Sequence, residues 1–402
     1  MAVHPPLFDT REFIKKQAVP DTCAKPFHAT DFLQAKTFLL NYLHVEATFN
    51  AYRREVERLL HWLWFVADKS LTELKRADID IYIEFCQNPP LNWIGLKKTP
   101  RFIETTEGRI ASNQWRPFVA TISKKDHKDG KFANIKNYTL SEKALREIFT
   151  IISSFFNFLI EEEYVQINPI AQIRQKSRYF RKTQGKPKVR RLSELQWQYV
   201  IETAELMAIE NPLYHERTLF MMSALYGMYL RISELAASTR WSPKMGDFYC
   251  DQDRLWWFVT VGKGNKERHI AVSDSILKAL QRYRTFLELS SLPPLGDKTP
   301  LFAKTRGKGP ITSTSYIRKV VQSCFDRAIL RLKEDHLQDE IMALEAATVH
   351  WLRHTGISED VKTRPREHVR DDAGHSSSAI TDKYIDIELR ERHASAKKKA
   401  LS

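Results

Sequence analysis

Apolar positions recur at helical spacing through much of the chain. Phe38, Leu39, Tyr42 and Leu43 share one face, and Tyr52, Val56, Leu59, Leu60, Leu63 and Val66 share another. Steps of three and four predict amphipathic helices, beginning near Asp31. A further helix is expected over residues 78–85. Another is expected over 141–163, where Ile148, Ile151, Ile152, Phe155, Phe156 and Leu159 form one stripe and Asn168-Pro169 ends the run. Two stretches break this regularity. Residues 1–30 carry Pro5, Pro6, Pro20 and Pro26 with little periodicity, and read as a loose N-terminal extension. Residues 88–137 carry Pro89, Pro90, Pro100 and Pro117 and the cluster Lys124, Lys125, Lys128 and Lys131. They read as an insertion or long loop in an otherwise helical domain.

In the second half, Ser193 is a plausible N-cap for a helix to about residue 209. A second helix is expected over about 217–226, stopping at Gly227. The period then changes from 3.6 to 2. Leu255, Trp257, Val259 and Val261 alternate as in a half-buried strand, Gly262-Lys263-Gly264-Asn265 makes a turn, and residues 269–273 return as the partner strand. Helices resume at Asp274. The fold class is therefore mainly α with a small antiparallel β-sheet. The expected organisation is a helical domain over 31–165, a linker over 166–191, and a second domain over 192–402 that ends in a charged tail with Lys397, Lys398 and Lys399.

A length of 402 residues suits two such domains. The formal net charge of +14 points to a polyanionic partner, either nucleic acid or an anionic membrane surface. The longest apolar runs, such as residues 220–230, fall short of the roughly 20 residues a spanning helix needs. Residues 1–8 hold two prolines and no apolar core of a signal peptide. Nucleic acid is thus the favoured partner, with no membrane role and a cytoplasmic location expected. Cys23, Cys86, Cys250 and Cys324 are far apart and form neither a zinc spacing nor a disulfide framework. Residues 165–192 contain nine basic residues and no acid: Arg174, Lys176, Arg178, Arg181, Lys182, Lys186, Lys188, Arg190 and Arg191. That run reads as a solvated tether or as a DNA-contacting linker.

Four segments carry candidate chemistry. Arg231 lies between apolar residues at a junction of two helices, with Glu234 on the same face, suited to clamping a phosphate or to a plain ion pair. Lys263 and Lys266 sit on the hairpin tip, where a lysine can enter a groove and donate a proton. The P-loop spacing is absent. His350 and Arg353 are three apart on a helix, able to bind and polarise one phosphate, or simply surface residues. The paired-histidine zinc pattern is missing, and no metal is expected. Ala373-Gly374-His375 is followed nine residues later by Tyr384, which taken alone reads as core packing.

In this order the segments LRISEL, GKGNKER, HWLRHT and AGHSSSAITDKYIDI resemble the catalytic domain of the tyrosine recombinases, the phage-integrase family, over about residues 192–389. The segment FFNFLIEEEYVQINP resembles the end of that family's core-binding domain. The chain departs from the pattern at Ala373, where the family usually has Leu, and in the charged residues 362–372. The simplest members also lack a counterpart of residues 88–137.

The resemblance implies a two-domain DNA clamp, and a catalytic set of Arg231, Lys263, His350, Arg353, His375 and Tyr384, supported by Glu234. It implies a site-specific recombinase that attacks a DNA phosphodiester through Tyr384, leaves a 3′-phosphotyrosine and rejoins the strand, without cofactor or metal. His350 is the expected proton acceptor for a phenol whose ordinary pKa is near 10, the arginines the transition-state stabilisers, and Lys263 the general acid. Partners implied are double-stranded recombination sites, a homotetramer passing through a Holliday junction, and accessory proteins. A C-terminal helix over about 387–399 would be exchanged between protomers. The expected setting is a mobile genetic element. A non-catalytic DNA-binding protein of the same fold and a type IB topoisomerase are the competing readings.

Overall fold

The computed structural model describes residues 5–106, 108–122, 126–127, 130–174, 190–262, 265–384 and 397. The chain divides into two compact units, 1–184 and 185–402.

The first unit is built on helices α1 (Pro26–Leu40), α2 (Glu46–Trp62), α3 (Arg76–Gln87) and α4 (Glu142–Glu161). Pro26 opens α1 at its first turn, where the missing N–H costs nothing, so the helix begins before Asp31. Ser141 caps α4 by accepting a bond from the Ala144 amide. Phe38, Leu39, Val56, Leu59, Leu60, Phe155 and Phe156 bury their side chains in one core.

Two expectations for this unit are corrected. The extension expected over residues 1–30 is not loose where it is described, from residue 5 onward: Leu7, Phe8 and Ile14 are fully buried. The amides of Leu7 and Phe8 donate to Glu57 Oε1 at 2.6 and 3.2 Å, and Phe8 stacks on Phe32. Prolines removed the periodicity without removing the anchors. Nor is 88–137 a free loop. It holds strands β1 (Ile94–Gly95), β2 (Phe102–Thr105), β3 (Gly108–Ala111) and β4 (Phe118–Val119). β1 pairs with β4 in parallel and β2 with β3 as an antiparallel hairpin. Trp93 and Phe118 are buried in the same core as the helices. A short helix, α5 (Pro169–Arg174), closes the described part of this unit.

The second unit opens with α6 (Glu194–Glu210), capped by Ser193 and Gln196 in a reciprocal box. Helix α7 (Pro212–Gly227) follows. It starts earlier than the apolar pattern indicated, because Pro212 supplies a first turn that needs no donor. After α8 (Ile232–Leu235) comes a three-stranded antiparallel sheet in the order β5-β6-β7, from β5 (Phe248–Cys250), β6 (Trp256–Val261) and β7 (Glu267–Ala271). The hairpin was expected and β5 was not. Three residues carry too little alternation to reveal a strand, and pairing of Phe248 with Phe258 holds it. The return strand begins at Glu267 rather than His269, with Thr260 opposite Arg268. Helices α9 (Asp274–Phe286), α10 (Thr314–Glu334), α11 (Gln338–Glu345), α12 (Val349–Thr363), α13 (Arg366–Ala373) and α14 (Ser378–Thr381) complete the unit, and a 3₁₀ turn (Asp382–Tyr384) follows. Among the described residues no helix is long and apolar enough to cross a membrane.

Close backbone approach places α12. A Cβ on Gly356 would fall 2.1 Å from the Tyr226 carbonyl oxygen at the end of α7, so only glycine lets the two helices meet here. The contact brings the first turns of α12 beside the segment that follows α7, which carries Arg231.

Candidate active site

The site is assembled from the loop after α7, the β6–β7 hairpin, the first turns of α12, and the turn from α13 to Tyr384. Each contributes a polar group that cannot be satisfied within its own element.

Tyr229 begins the arrangement. Its backbone is left-handed (φ 50°), unusual for a bulky residue. Its ring is buried, and its hydroxyl is bonded to Asp360 and accepts a 3.0 Å bond from Arg364 Nη1. This conformation leaves the Tyr229 carbonyl free to accept from Arg353 Nη1, while Arg353 Nη2 donates to the Ala373 carbonyl at 2.5 Å. Arg353 is only 2% exposed. Burial, then Arg231 and Arg268, depress its pKa to about 9. No carboxylate among the described residues pairs with it directly. A guanidinium held by carbonyl dipoles, in a cluster of like charges, is poised for an anion.

Arg231 lies 3.0 Å from Glu234 Oε1 and donates to the Gly374 carbonyl at 3.3 Å. Glu234 is 1% exposed and also accepts two bonds from Arg268, at 2.6 and 2.9 Å. Burial alone would raise its pKa. The Arg268 hydrogen bonds and charge outweigh this, and Glu234 is held below the usual carboxylate range. Arg268 reaches on to the Asp372 carbonyl at 3.0 Å, tying β7 to the end of α13. Gly262 closes against this cluster: a Cβ there would lie 3.1 Å from Arg268 Nη1 and 3.4 Å from Arg231 Nη1. Lys263 is the next residue in the chain and lies outside the described residues.

Gly374 ends α13 in the left-handed conformation (φ 62°), the ordinary glycine stop. It turns the chain so that His375 Nδ1 lies 2.9 Å from Thr381 Oγ1. The His375 ring stacks at 5.7 Å on the ring of Tyr384. Tyr384 is 7% exposed. Its hydroxyl is bonded at 2.5 Å to Nδ1 of His354, not to His350. His350, one turn earlier on α12, is exposed and meets the His354 ring edge-on at 4.5 Å.

The electrostatics follow from this packing. Burial raises the pKa of the Tyr384 phenol above 10, and Arg353 and Arg231 oppose that rise. Desolvation lowers His354 to about 4, with His350, Arg353 and His375 adding to it. His375 also falls to about 4, through desolvation and then Arg353, Arg231 and Arg268. His350 moves in the same direction by desolvation, then Arg353 and Arg231. At neutral pH all three imidazoles are uncharged, and beside Tyr384 a neutral imidazole can take a proton.

The structure thus brings together Arg231, Glu234, His350, Arg353, His375 and Tyr384. Two partners were missed. Arg268 had a signal, since alternation on β7 puts it on the inward side with the buried Ile270. His354 had a weaker one, four residues from His350 and therefore on the same helical face. Of the basic run, Arg174 ends α5, Arg190 is exposed and Arg191 half-buried. Lys176, Arg178, Arg181, Lys182, Lys186 and Lys188 lie outside the described residues, as does nearly all of 387–399. Among the described residues no cluster of His, Cys, Asp and Glu is arranged to hold a metal.

No protein-family model matches the chain. Among curated proteins it is similar to tyrosine recombinase XerD of Staphylococcus saprophyticus, 26% identical over 249 residues, 61% of this chain and 72% of that protein. It is also similar to tyrosine recombinase XerC of Bradyrhizobium diazoefficiens, 32% identical over 183 residues, 44% of this chain and 48% of that protein. Among solved structures, the Tn1549 transposon integrase in complex with a circular intermediate DNA matches with a TM-score of 0.51 and 15% identity, covering 92% of this chain and 98% of that one. A lambda integrase dimer bound to a core site matches with a TM-score of 0.50 and 14% identity, covering 92% and 80%. The solved structures share the fold, and the curated proteins to which the chain is similar in sequence are tyrosine recombinases.

Proposed function

We propose that this chain is a site-specific DNA recombinase with Tyr384 as nucleophile, and that it integrates, excises or resolves a mobile genetic element. The observation that carries the proposal is the buried Tyr384 hydroxyl bonded to a neutral imidazole, beside two guanidiniums. In this reading the Tyr384 oxygen forms a bond to phosphorus as the bond to the 5′ oxygen breaks. The phenolic proton passes to His354, which replaces His350 in that role because it is the ring in contact. His350 and His375 flank the phosphate. Arg231 and Arg353 stabilise the charge that grows on the non-bridging oxygens, and Glu234 with Arg268 fixes the direction of Arg231. Lys263 gives a proton to the leaving 5′ oxygen. Rejoining is the reverse step with a new 5′ hydroxyl. One ester replaces another, so no energy source is needed.

DNA is the proposed substrate, with residues 31–165 and the basic run 166–191 contributing phosphate contacts and residues 192–402 the chemistry. Assembly as a homotetramer on paired sites, exchange of the segment near 387–399, help from accessory proteins, and action in the cytoplasm at the nucleoid belong to the same proposal.

The test is to mix the protein with nicked suicide duplexes made from DNA flanking its gene, denature, and look for a protein–DNA adduct. An adduct that disappears in Tyr384→Phe is the expected result. Specific binding without an adduct would overturn the catalytic reading in favour of a DNA-binding protein of the same fold.

A further inference from the structure

The charged stretch 362–372, where the chain departs from the family pattern, is not used by the proposed reaction. In the fold it supplies Arg364 and Asp372 to a polar network shared with Tyr229 and Asp360. Arg364 is the centre of that network. It caps the C-terminal end of α12. Its Nη1 donates to the Tyr229 hydroxyl at 3.0 Å and to Asp360 Oδ2 at 3.2 Å. Its Nη2 donates to Asp372 Oδ2 at 2.5 Å. The Tyr229 hydroxyl donates in turn to Asp360. Burial, followed by that bond, raises the pKa of this phenol, so it stays protonated. Asp372 is 5% exposed, and its other oxygen accepts from the Ala271 amide of β7 at 3.2 Å.

Both arms of the network end at Arg353. Tyr229 presents its carbonyl to Arg353 Nη1 through a left-handed backbone, a conformation that costs energy in a bulky residue. The bonded hydroxyl offsets that cost, as does the packing of the ring among Ile357, Val369, Ala373 and Tyr384. Asp372 directly precedes Ala373, whose carbonyl accepts from Arg353 Nη2. One guanidinium thus braces both places from which Arg353 is held. The two arginines are eleven residues apart on α12. At 1.5 Å per residue that is roughly 16 Å, too far for contact, so the link runs through the loop after α7 and the end of α13. An ion pair whose arginine is one-third exposed adds little to stability. What Arg364 contributes is geometry. A planar fork reaches acceptors on two separate elements at once, which the point charge of a lysine does not.

We infer that Arg364, acting with Asp360, Asp372 and the Tyr229 hydroxyl, is a positioning residue that sets the Arg353 guanidinium for its phosphate. The phosphate rests on the proposed function. The hold on Arg353 rests on the contacts alone.

The experiment uses the full chain, Arg364→Lys, and Tyr229→Phe as a milder change that removes a single oxygen. Each is treated with phenylglyoxal, a dicarbonyl selective for guanidinium groups, and labelling is followed peptide by peptide by mass spectrometry. Arg284 is the internal reference: it is 1% exposed and is held by Ser290 and Asp297, neither of which belongs to the network. Arg353 should label about tenfold faster in both variants, the effect of weakening one hydrogen bond to a charged group, while Arg284 labels at the parent's rate. Single-turnover adduct formation on suicide duplexes should fall about 10–100-fold in Arg364→Lys, the scale expected when a catalytic group is misplaced. Unchanged labelling of Arg353 in Arg364→Lys would overturn the inference. So would equal acceleration at Arg353 and Arg284, which is general loosening, and so would faster labelling of Arg353 with adduct formation unaffected. A parent chain that forms no adduct would count against the recombinase reading alone, and the labelling would still decide whether Arg364 holds Arg353.

Discussion

At the scale of single residues, the proposed chemistry turns on which imidazole touches Tyr384, the proposed nucleophile. His354 Nδ1 is the group bonded to Tyr384, and His350 reaches the phenol only through His354. A positioned base contributes about 10²–10⁴-fold to such a transfer. His354→Gln keeps a polar partner for the hydroxyl but cannot take its proton. Single-turnover adduct formation in that variant should fall by about 10²-fold or more and should climb with pH as hydroxide takes over. His350→Gln should lose less and keep the parent's pH profile. Equal losses and profiles in the two would remove His354 from its proposed role. The same imidazoles set a stability effect. His354 and His375 are lowered to about 4 in the folded chain, against about 6.5 when unfolded. Between those values the unfolded chain binds more protons, so stability is full above about pH 6.5 and is lost as pH falls toward 4. Thermal melts should therefore show the second unit's Tm dropping from pH 7 to pH 5. His375→Gln should flatten part of that drop.

At the scale of elements, the site depends on contacts between helices more than on any one helix. Gly356 allows α12 to meet the end of α7, and so sets Arg353 against the Tyr229 carbonyl. Gly356→Ala puts a methyl group against backbone that cannot move aside. Overpacking of this kind costs about 1–3 kcal/mol. Chemical denaturation should show that loss, and adduct formation should fall with it because Arg353 moves together with its helix. This contact also marks the limit of the sequence reading. Elements with strong periodicity, such as α2, α4, α6 and β6, were legible, as were Ser193 as a cap and the spacing of Arg231, Arg353, His375 and Tyr384. Arg353 looked like a surface residue because charge alone gives no sign of burial. It is buried because the carbonyls of Tyr229 and Ala373, far away in sequence, satisfy it. The first 30 residues looked loose for the converse reason: Glu57, a charged residue inside α2, is what anchors Leu7 and Phe8. Partners brought together only by tertiary packing leave no local pattern.

At the scale of the whole molecule, the question is how a chain of net charge +14 would divide the DNA affinity proposed for it. The boundary between the two compact units falls inside a run of nine basic residues without a single acid. A run that merely tethers the units would add little to binding, since its charges would stay hydrated and its counterions would stay in place. A run that follows the phosphate backbone would release about 0.9 counterion for each phosphate neutralised, and binding would weaken steeply with salt. Replacing Lys176, Arg178, Lys182 and Lys186 with Gln removes four charges while leaving the length, Gly185 and Pro187 unchanged. If the run tracks the backbone, the slope of log K against log salt should fall by about 3–4, and affinity at 200 mM salt should change less than affinity at 50 mM. Adduct formed from saturating suicide duplex should remain visible, because Tyr384 and its neighbours lie in the second unit. A slope that does not change would make the run a tether and would move the whole electrostatic share of binding onto the two folded units.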